Sequence, residues 1–262
     1  MSVAPDPAEI FQRAADEGER RLDQSLLELV STGFIAGFTI IFGIVALGIV
    51  QTAAEPLPGE LAKMAGALAF GIGVVFLVVG RAELFTENFL DPSATAFQRR
   101  ERGILSRLAR LWSITFVLNL VGGGLFALAL AVPGVLPEGT GTTLSHVAEE
   151  IASRGPLAGF VSAIIGGALV ALLSFLLLAV NGVGSRIALA WAVGFLLAAG
   201  PFDHVIVTVL HVFVGMLFGA PVGVEALFTI MAVSTAGNLV GGVGLVTLSH
   251  VAQGEGARES GG

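Results

Sequence analysis

The chain has 262 residues, 55% of them hydrophobic and only 13% charged, against about a quarter charged in an average soluble domain. That composition excludes water as the main solvent of the fold, and a formal net charge of −7 gives no support to nucleic-acid binding as its main function. With no cysteine there is no disulfide, thiolate ligand or cysteine nucleophile, while 36 glycines point to helices packed backbone to backbone in lipid.

In chain order, residues 6–27 alternate apolar Ile10, Phe11, Ala14, Ala15 and Leu22 with charges. They are too charged for a signal peptide and predict an amphipathic surface helix. Six segments then meet the requirement of roughly 20 apolar residues for a membrane span: about 29–52, 63–84, 107–133, 157–180, 187–218 and 226–249. The second is cut short by Glu83, Thr86, Glu87 and Asn88; the fifth is too long for one straight helix and is interrupted at Gly200 and Pro201. The tail from Gln253 is polar and glycine-rich and is expected to be disordered. The organisation expected is therefore an amphipathic segment 1–28, a membrane domain 29–252 and a tail 253–262.

Arg13, Arg20, Arg21, Arg99, Arg100, Arg102, Arg107, Arg110, Arg186 and Arg258 all fall on one side of six crossings, and the opposite loops hold only Lys63 and Arg154. Basic residues mark the cytoplasmic side, so both termini are expected there. Leu118 to Gly123 (Leu-Asn-Leu-Val-Gly-Gly) recurs at 237–242 as Gly-Asn-Leu-Val-Gly-Gly, which spaces two halves 119 residues apart. Three spans per half require opposite insertion, and the same spacing carries Phe85 in the broken second span onto His204 in the broken fifth. Paired breaks in inverted repeats point to a solute path near the bilayer midplane.

Non-helical backbone at membrane depth must line a cavity or be buried in protein, which directs attention to 81–90 and 200–205. His204 is the leading candidate, since an imidazole donates a hydrogen bond to an anion when neutral and holds it as a counter-charge when protonated. Thr86 and Asn238 offer the hydroxyl and amide that orient such a ring; Asn119, the repeat partner of Asn238, either bonds to the mirrored break or merely joins helices. Arg81 and Glu83 are close enough in sequence for a structural ion pair. Phe85 and Phe70 suit apolar constrictions that gate by dewetting. His146, His204, His211 and His250 are scattered without acid or thiol partners, so no metal site is expected, and there is no phosphate-binding glycine loop.

These motifs resemble the formate/nitrite transporter family. Gly80-Arg-Ala-Glu-Leu-Phe-Thr-Glu-Asn88 is similar to its Leu-Phe-Thr loop, Phe202-Asp203-His204 to its Phe-Glu-His break and Gly237-Asn-Leu-Val-Gly-Gly242 to its span-six signature; Leu111-Trp112 and Asn119-Leu120 are most similar to the YfdC-like branch. The resemblance covers all six spans. It implies an all-α, aquaporin-like fold of two inverted three-helix repeats, assembled as a homopentamer in the inner (plasma) membrane, with one pore per protomer. It implies that His204 sits mid-pore in contact with Thr86 and Asn238, between constrictions at Phe70, Leu84, Phe85 and Phe202. Its substrates would be small monovalent weak-acid anions such as formate, nitrite or hydrosulfide, moved with or without a proton, with no cofactor and no enzymatic activity. The chain departs from the family pattern at Gly167 and Thr208, where asparagines are usual, and at the basic residue before span four, for which Arg154 is the nearest candidate. A pore for neutral solutes and a non-conducting membrane scaffold or sensor remain open at this point.

Overall fold

A computed structural model describes residues 5–99 and 101–260; Arg100, counted above among the basic residues, lies outside them. All regular structure among the described residues is helical. Helix α1 (Pro7–Leu22) starts at Asp6, whose carboxylate accepts from the Glu9 backbone N–H at 2.8 Å. Its apolar stripe, Ile10, Phe11, Ala14, Ala15 and Leu22, is buried against protein. The amphipathic helix expected on the surface is thus docked by its apolar face onto the helical bundle.

Helices α2 (Leu26–Ala53) and α3 (Gly59–Val79) form the first hairpin. After α3 the chain unwinds, makes a 3₁₀ turn at Phe85–Phe89, and resumes as α4 (Asp91–Arg99) before α5 (Ile104–Leu130). The second half opens with α6 (Thr140–Ala152) and α7 (Pro156–Ala179), and its broken span is α8 (Val183–Ala199) followed by α9 (Val205–Leu217). Helix α10 (Val224–Leu239) runs through a π-helical stretch, Val240–Thr247, into α11 (Leu248–Ser260). Helices α2, α3, α5, α7 and the run from α10 to Gln253 are each long and apolar enough to cross a bilayer. The apolar half-helices α8 and α9 supply the remaining crossing.

Two features differ from the sequence expectation. The tail expected to be disordered is helical as far as Ser260. Once a membrane helix is nucleated, each further residue adds a hydrogen bond at little cost, and the tail contains Ala, Gln, Glu and Arg that favour propagation. Helix α6 was not anticipated at all: its thirteen residues mix Glu149 and Glu150 with a short apolar stripe, and Leu144 and Ala148 are its buried apolar residues. It lies on α9 as α1 lies on α4, so it is the second half's counterpart of α1. Each half therefore reads amphipathic helix, span, broken span, span, and the halves meet along α3 and α8.

The outer surfaces carry exposed apolar side chains such as Leu125, Leu128, Val161 and Phe228, as helices facing lipid or neighbouring subunits require. Inside, the contacts are close enough to require glycine. A Cβ at Gly37 of α2 would lie 2.0 Å from the backbone oxygen of Asn119 on α5. A Cβ at Gly167 of α7 would lie 2.4 Å from the backbone oxygen of Asn238 on α10. That second contact explains the departure at 167, because no asparagine side chain fits between α7 and α10 there.

Candidate functional site

The two breaks are held open by the same device. At the first, α3 ends at Gly80, and Arg81 takes a left-handed φ of 52° that turns the chain out of the helix. Asn119 of α5 reaches into the gap: its Oδ1 accepts from Phe85 N–H at 2.9 Å, and its Nδ2 donates to the carbonyls of Gly33 at 2.8 Å and Glu83 at 3.0 Å. At the second, Asn238 of α10 accepts from Val205 N–H at 2.8 Å and donates to the carbonyls of Ala163 at 2.7 Å and Asp203 at 2.8 Å. Each asparagine thus satisfies two backbone groups that unwinding would leave bare in a region without water, and ties them to a carbonyl of the neighbouring helix, Gly33 on α2 or Ala163 on α7.

This hydrogen-bond register corrects the sequence alignment of the repeats. The clamps pair Phe85 with Val205 and Glu83 with Asp203, so the counterpart of His204 is Leu84, one residue before Phe85. The asparagines keep the 119-residue spacing while the breaks have one more residue between them.

His204 is buried and serves as the cap of α9, its Nδ1 accepting from the Val207 N–H at 3.3 Å. Because Nδ1 accepts, the ring proton of the neutral imidazole belongs on Nε2, which faces Thr86 Oγ1 within hydrogen-bonding distance. The structure therefore brings His204 and Thr86 together across the two breaks. It does not bring Asn238 to the ring: that amide is fully used by backbone groups. Asp203 accepts from Arg154 Nη2 at 2.9 Å and from Thr208 Oγ1 at 3.4 Å, while its N–H donates to Ser162 Oγ at 2.9 Å, which fixes the segment before the histidine. His211, about two turns further along, donates from Nδ1 to Val207 O at 3.2 Å and stands 5.8 Å from the Phe70 ring.

Three cavities lie along one route past His204. A vestibule of about 520 Å³, named outer after the orientation expected from the arginines, is bordered by Lys63, Phe70, Arg154, Phe202, Thr208 and His211. A central space of about 10 Å³ is bordered by Leu84, Glu87 and His204 among aliphatic side chains. An inner vestibule of about 120 Å³ is bordered by Arg20, Arg21, Arg81, Glu83 and Asp91. Leu197 and Val207 border both the outer vestibule and the central space; Leu77 and Glu87 border both the central space and the inner vestibule. A water molecule needs about 10–15 Å³, so the central space has room for about one water and none for an anion with its hydration shell.

Of the residues expected at constrictions, Leu84 borders the central space and Phe70 and Phe202 the outer vestibule. Phe85 is a correction: its ring packs 4.9 Å from Phe89, 5.1 Å from Phe116 and 6.3 Å from Trp112, in an aromatic cluster against α5. The alternating geometry of extended backbone sends Leu84 and Phe85 to opposite sides, and only one can face the route. The expected Arg81–Glu83 pair is also not made. The left-handed turn leaves Arg81 exposed, whereas Glu83 is buried and takes Arg20 at 3.2 Å, Arg21 at 3.4 Å and Gln24 Nε2 at 3.0 Å.

The arginine partners of Glu83 come from α1 and Gln24 from the link that follows it, a contribution that no local sequence signal reveals. Arg21 also reaches Glu17 at 3.1 Å, Asn88 Oδ1 at 3.0 Å and Asp91 at 3.8 Å. Burial opposes ionisation of Glu17, but hydrogen bonds and charges from Arg20 and Arg21 outweigh it and bring the carboxyl down to about 2 from an ordinary 4.5. Stability resting on ionised Glu17 is accordingly complete above about pH 4.5 and is lost as the pH falls towards 2. Protection of α1 amides from hydrogen exchange is expected to decline across that window, and Glu17→Gln to remove most of the decline; protection that stays flat with pH in the parent protein would show that this network does not hold α1.

The sequence model described as "Formate/nitrite transporter" matches residues 8–252. The chain is 24% identical to "Inner membrane protein YfdC" of Escherichia coli K12 over 244 residues, 93% of this chain and 77% of that protein. Its fold superposes on a solved "FNT family ion channel" with a TM-score of 0.80 at 18% identity, covering 92% of this chain and 97% of the other. A solved "Pentameric formate channel with formate bound" gives a TM-score of 0.68, also at 18% identity, over 90% of this chain and 96% of that one.

Proposed function

This chain belongs to the formate/nitrite transporter family, and from that premise we propose that it moves small monovalent weak-acid anions, of the formate, nitrite or hydrosulfide kind, across the cytoplasmic (inner) membrane as a homopentamer with one path per protomer. The observation that carries the reading is the position of His204: a single polar ring, oriented by Thr86 and by the first turn of α9, standing between two vestibules where the route is lined by aliphatic side chains and Glu87. An anion reaching the centre sheds hydration, and the ring N–H, the Thr86 hydroxyl and the positive end of α9 replace part of it. Both termini are assigned to the cytoplasm by the distribution of arginines, which makes the vestibule with Lys63 and Arg154 the outer one.

The test is reconstitution of the full chain in proteoliposomes with a trapped pH dye, offering formate, nitrite, hydrosulfide, acetate and thiocyanate in turn. At least one weak acid is expected to enter at a rate tenfold or more above protein-free vesicles, with water and glycerol swelling unchanged. Swelling without weak-acid entry would replace this reading with a neutral-solute pore, and neither would leave a non-conducting protein.

A further inference from the structure

A surface cavity of about 490 Å³ opens where the link between α1 and α2 meets the first two turns of α5, bordered by Asp23, Ser25, Ser106, Arg107 and Arg110 among others. Its size is within the roughly 300–1,000 Å³ of small-molecule sites, and none of its lining residues borders the three spaces of the route.

The lining offers uncommitted donors to an anion. Arg110 makes no ion pair with any described residue; its Nη2 donates to the carbonyls of Leu22 at 3.3 Å and Gln24 at 2.8 Å, which anchors the guanidinium and leaves Nε and Nη1 free of described partners. Arg107 spends Nη2 on Asp23, whose side chain is 63% exposed, and likewise keeps Nε and Nη1. Ser25 Oγ accepts from the Glu28 N–H at 3.2 Å and retains its own proton to donate. Asp23 is the one acid bordering the cavity, and the Glu28 carboxylate nearby lies 3.8 Å from Arg20. Two guanidinium groups and a hydroxyl are the donors that hold a phosphate.

The apolar surroundings decide which phosphate. Leu27 on the first turn of α2 is 78% exposed and Leu105 on the first turn of α5 is 73% exposed. Both helices continue as apolar spans with outward-facing side chains such as Val30, Val117 and Val121. Leucines belong in the acyl region of a bilayer and arginines at the level of its headgroups, so the cavity stands where lipid phosphates lie. The arginine distribution assigns this end to the cytoplasmic leaflet, whose anionic lipids are drawn to basic pockets between helices.

We propose that this cavity holds the headgroup of an anionic glycerophospholipid of the cytoplasmic leaflet, its phosphate on Arg107, Arg110 and Ser25 and its acyl chains against Leu27 and Leu105. Asp23 competes with the phosphate for Arg107. The site is independent of which solute the route carries.

Native mass spectrometry of the full chain, offered dioleoyl-phosphatidylglycerol and dioleoyl-phosphatidylcholine in equal amounts, tests it. One arginine near a membrane surface gives about a fivefold preference for anionic lipid, so the parent protein is expected to retain phosphatidylglycerol about thirtyfold over phosphatidylcholine. Arg107→Gln is expected to lower that preference about fivefold, whereas Asp23→Asn, which releases Arg107 to the headgroup, is expected to raise it. A pair that only fastens α1 to α5 would move both variants in the same direction, and that result would overturn the site. Arg99→Gln breaks a comparable α1 pair, with Glu19, outside the cavity and is expected to leave the preference unchanged; a loss equal to that of Arg107→Gln would show diffuse attraction and no site. Equal retention of the two lipids by the parent, or displacement of phosphatidylglycerol by millimolar inorganic phosphate, would also overturn it. So would loss of the oligomer in Arg107→Gln at unchanged lipid preference, which would give the cavity to a neighbouring subunit. Should Arg107→Gln fail to fold, the direction of the change in Asp23→Asn decides.

Discussion

Replacing His204 with phenylalanine is expected to lower weak-acid uptake by roughly 10- to 100-fold. A hydrogen bond to a charged group is worth about 1.5–3 kcal/mol, and each 1.4 kcal/mol is a factor of ten in rate or affinity. Phenylalanine keeps the size of the ring and removes both nitrogens, so the central space becomes aliphatic and aromatic except for Glu87. The same substitution also removes the cap on the Val207 N–H, which costs about 1 kcal/mol of helix stability. His204→Asn separates the two effects, because asparagine is among the best capping residues and has no ring to titrate. If the ring carries the function, both variants lose uptake and the pH dependence of what remains is flattened in His204→Asn. If the cap alone matters, Asn restores the parent rate. Uptake within twofold of the parent in both variants would rule out His204 as the centre of the route. The measurement is the initial rate of formate or nitrite entry across pH 5 to 8, with pentamer assembly checked by size in detergent.

The span count and the two breaks were legible from hydropathy and from the Leu-Asn-Leu-Val-Gly-Gly echo, since a bilayer imposes length and apolarity directly on the chain. His204 stood out for the same reason, as an imidazole in an apolar run. What escaped the sequence depended on direction. Phe85 and Leu84 are both apolar and adjacent, and only the Asn119 bond to the Phe85 N–H decides which of them turns to the route. The partner of Glu83 was sought two residues away at Arg81 and lies 62 and 63 residues back on α1, at Arg21 and Arg20. Helix α6 was missed because an amphipathic segment of thirteen residues falls below the length a hydropathy window detects, although its mirror image, α1, was found.

The asparagine clamps give the second large effect, and magnitude separates their two readings. An asparagine that only ties membrane helices together is worth about 0.6 kcal/mol on average, because the unfolded chain in lipid finds other partners. Asn119 and Asn238 each satisfy one N–H and one carbonyl of unwound backbone and tie them to a carbonyl of a neighbouring continuous helix, and no other described side chain donates or accepts at the unwound groups. Two buried groups left unpaired cost on the order of 1–4 kcal/mol in total, taking the membrane average as the lower bound and about 2 kcal/mol per group as the upper. Asn119→Leu and Asn238→Leu are therefore expected to lower the thermal unfolding midpoint of the detergent-solubilised protein markedly and by similar amounts. The similarity is the informative part: Asn238 holds the segment that carries His204, while Asn119 holds the segment that carries Thr86, and only a symmetrical structural role makes their losses match. A midpoint within about 2 °C of the parent for either variant would mean that the corresponding break does not depend on its clamp, and that the paired unwinding past which the route runs is held open by packing alone.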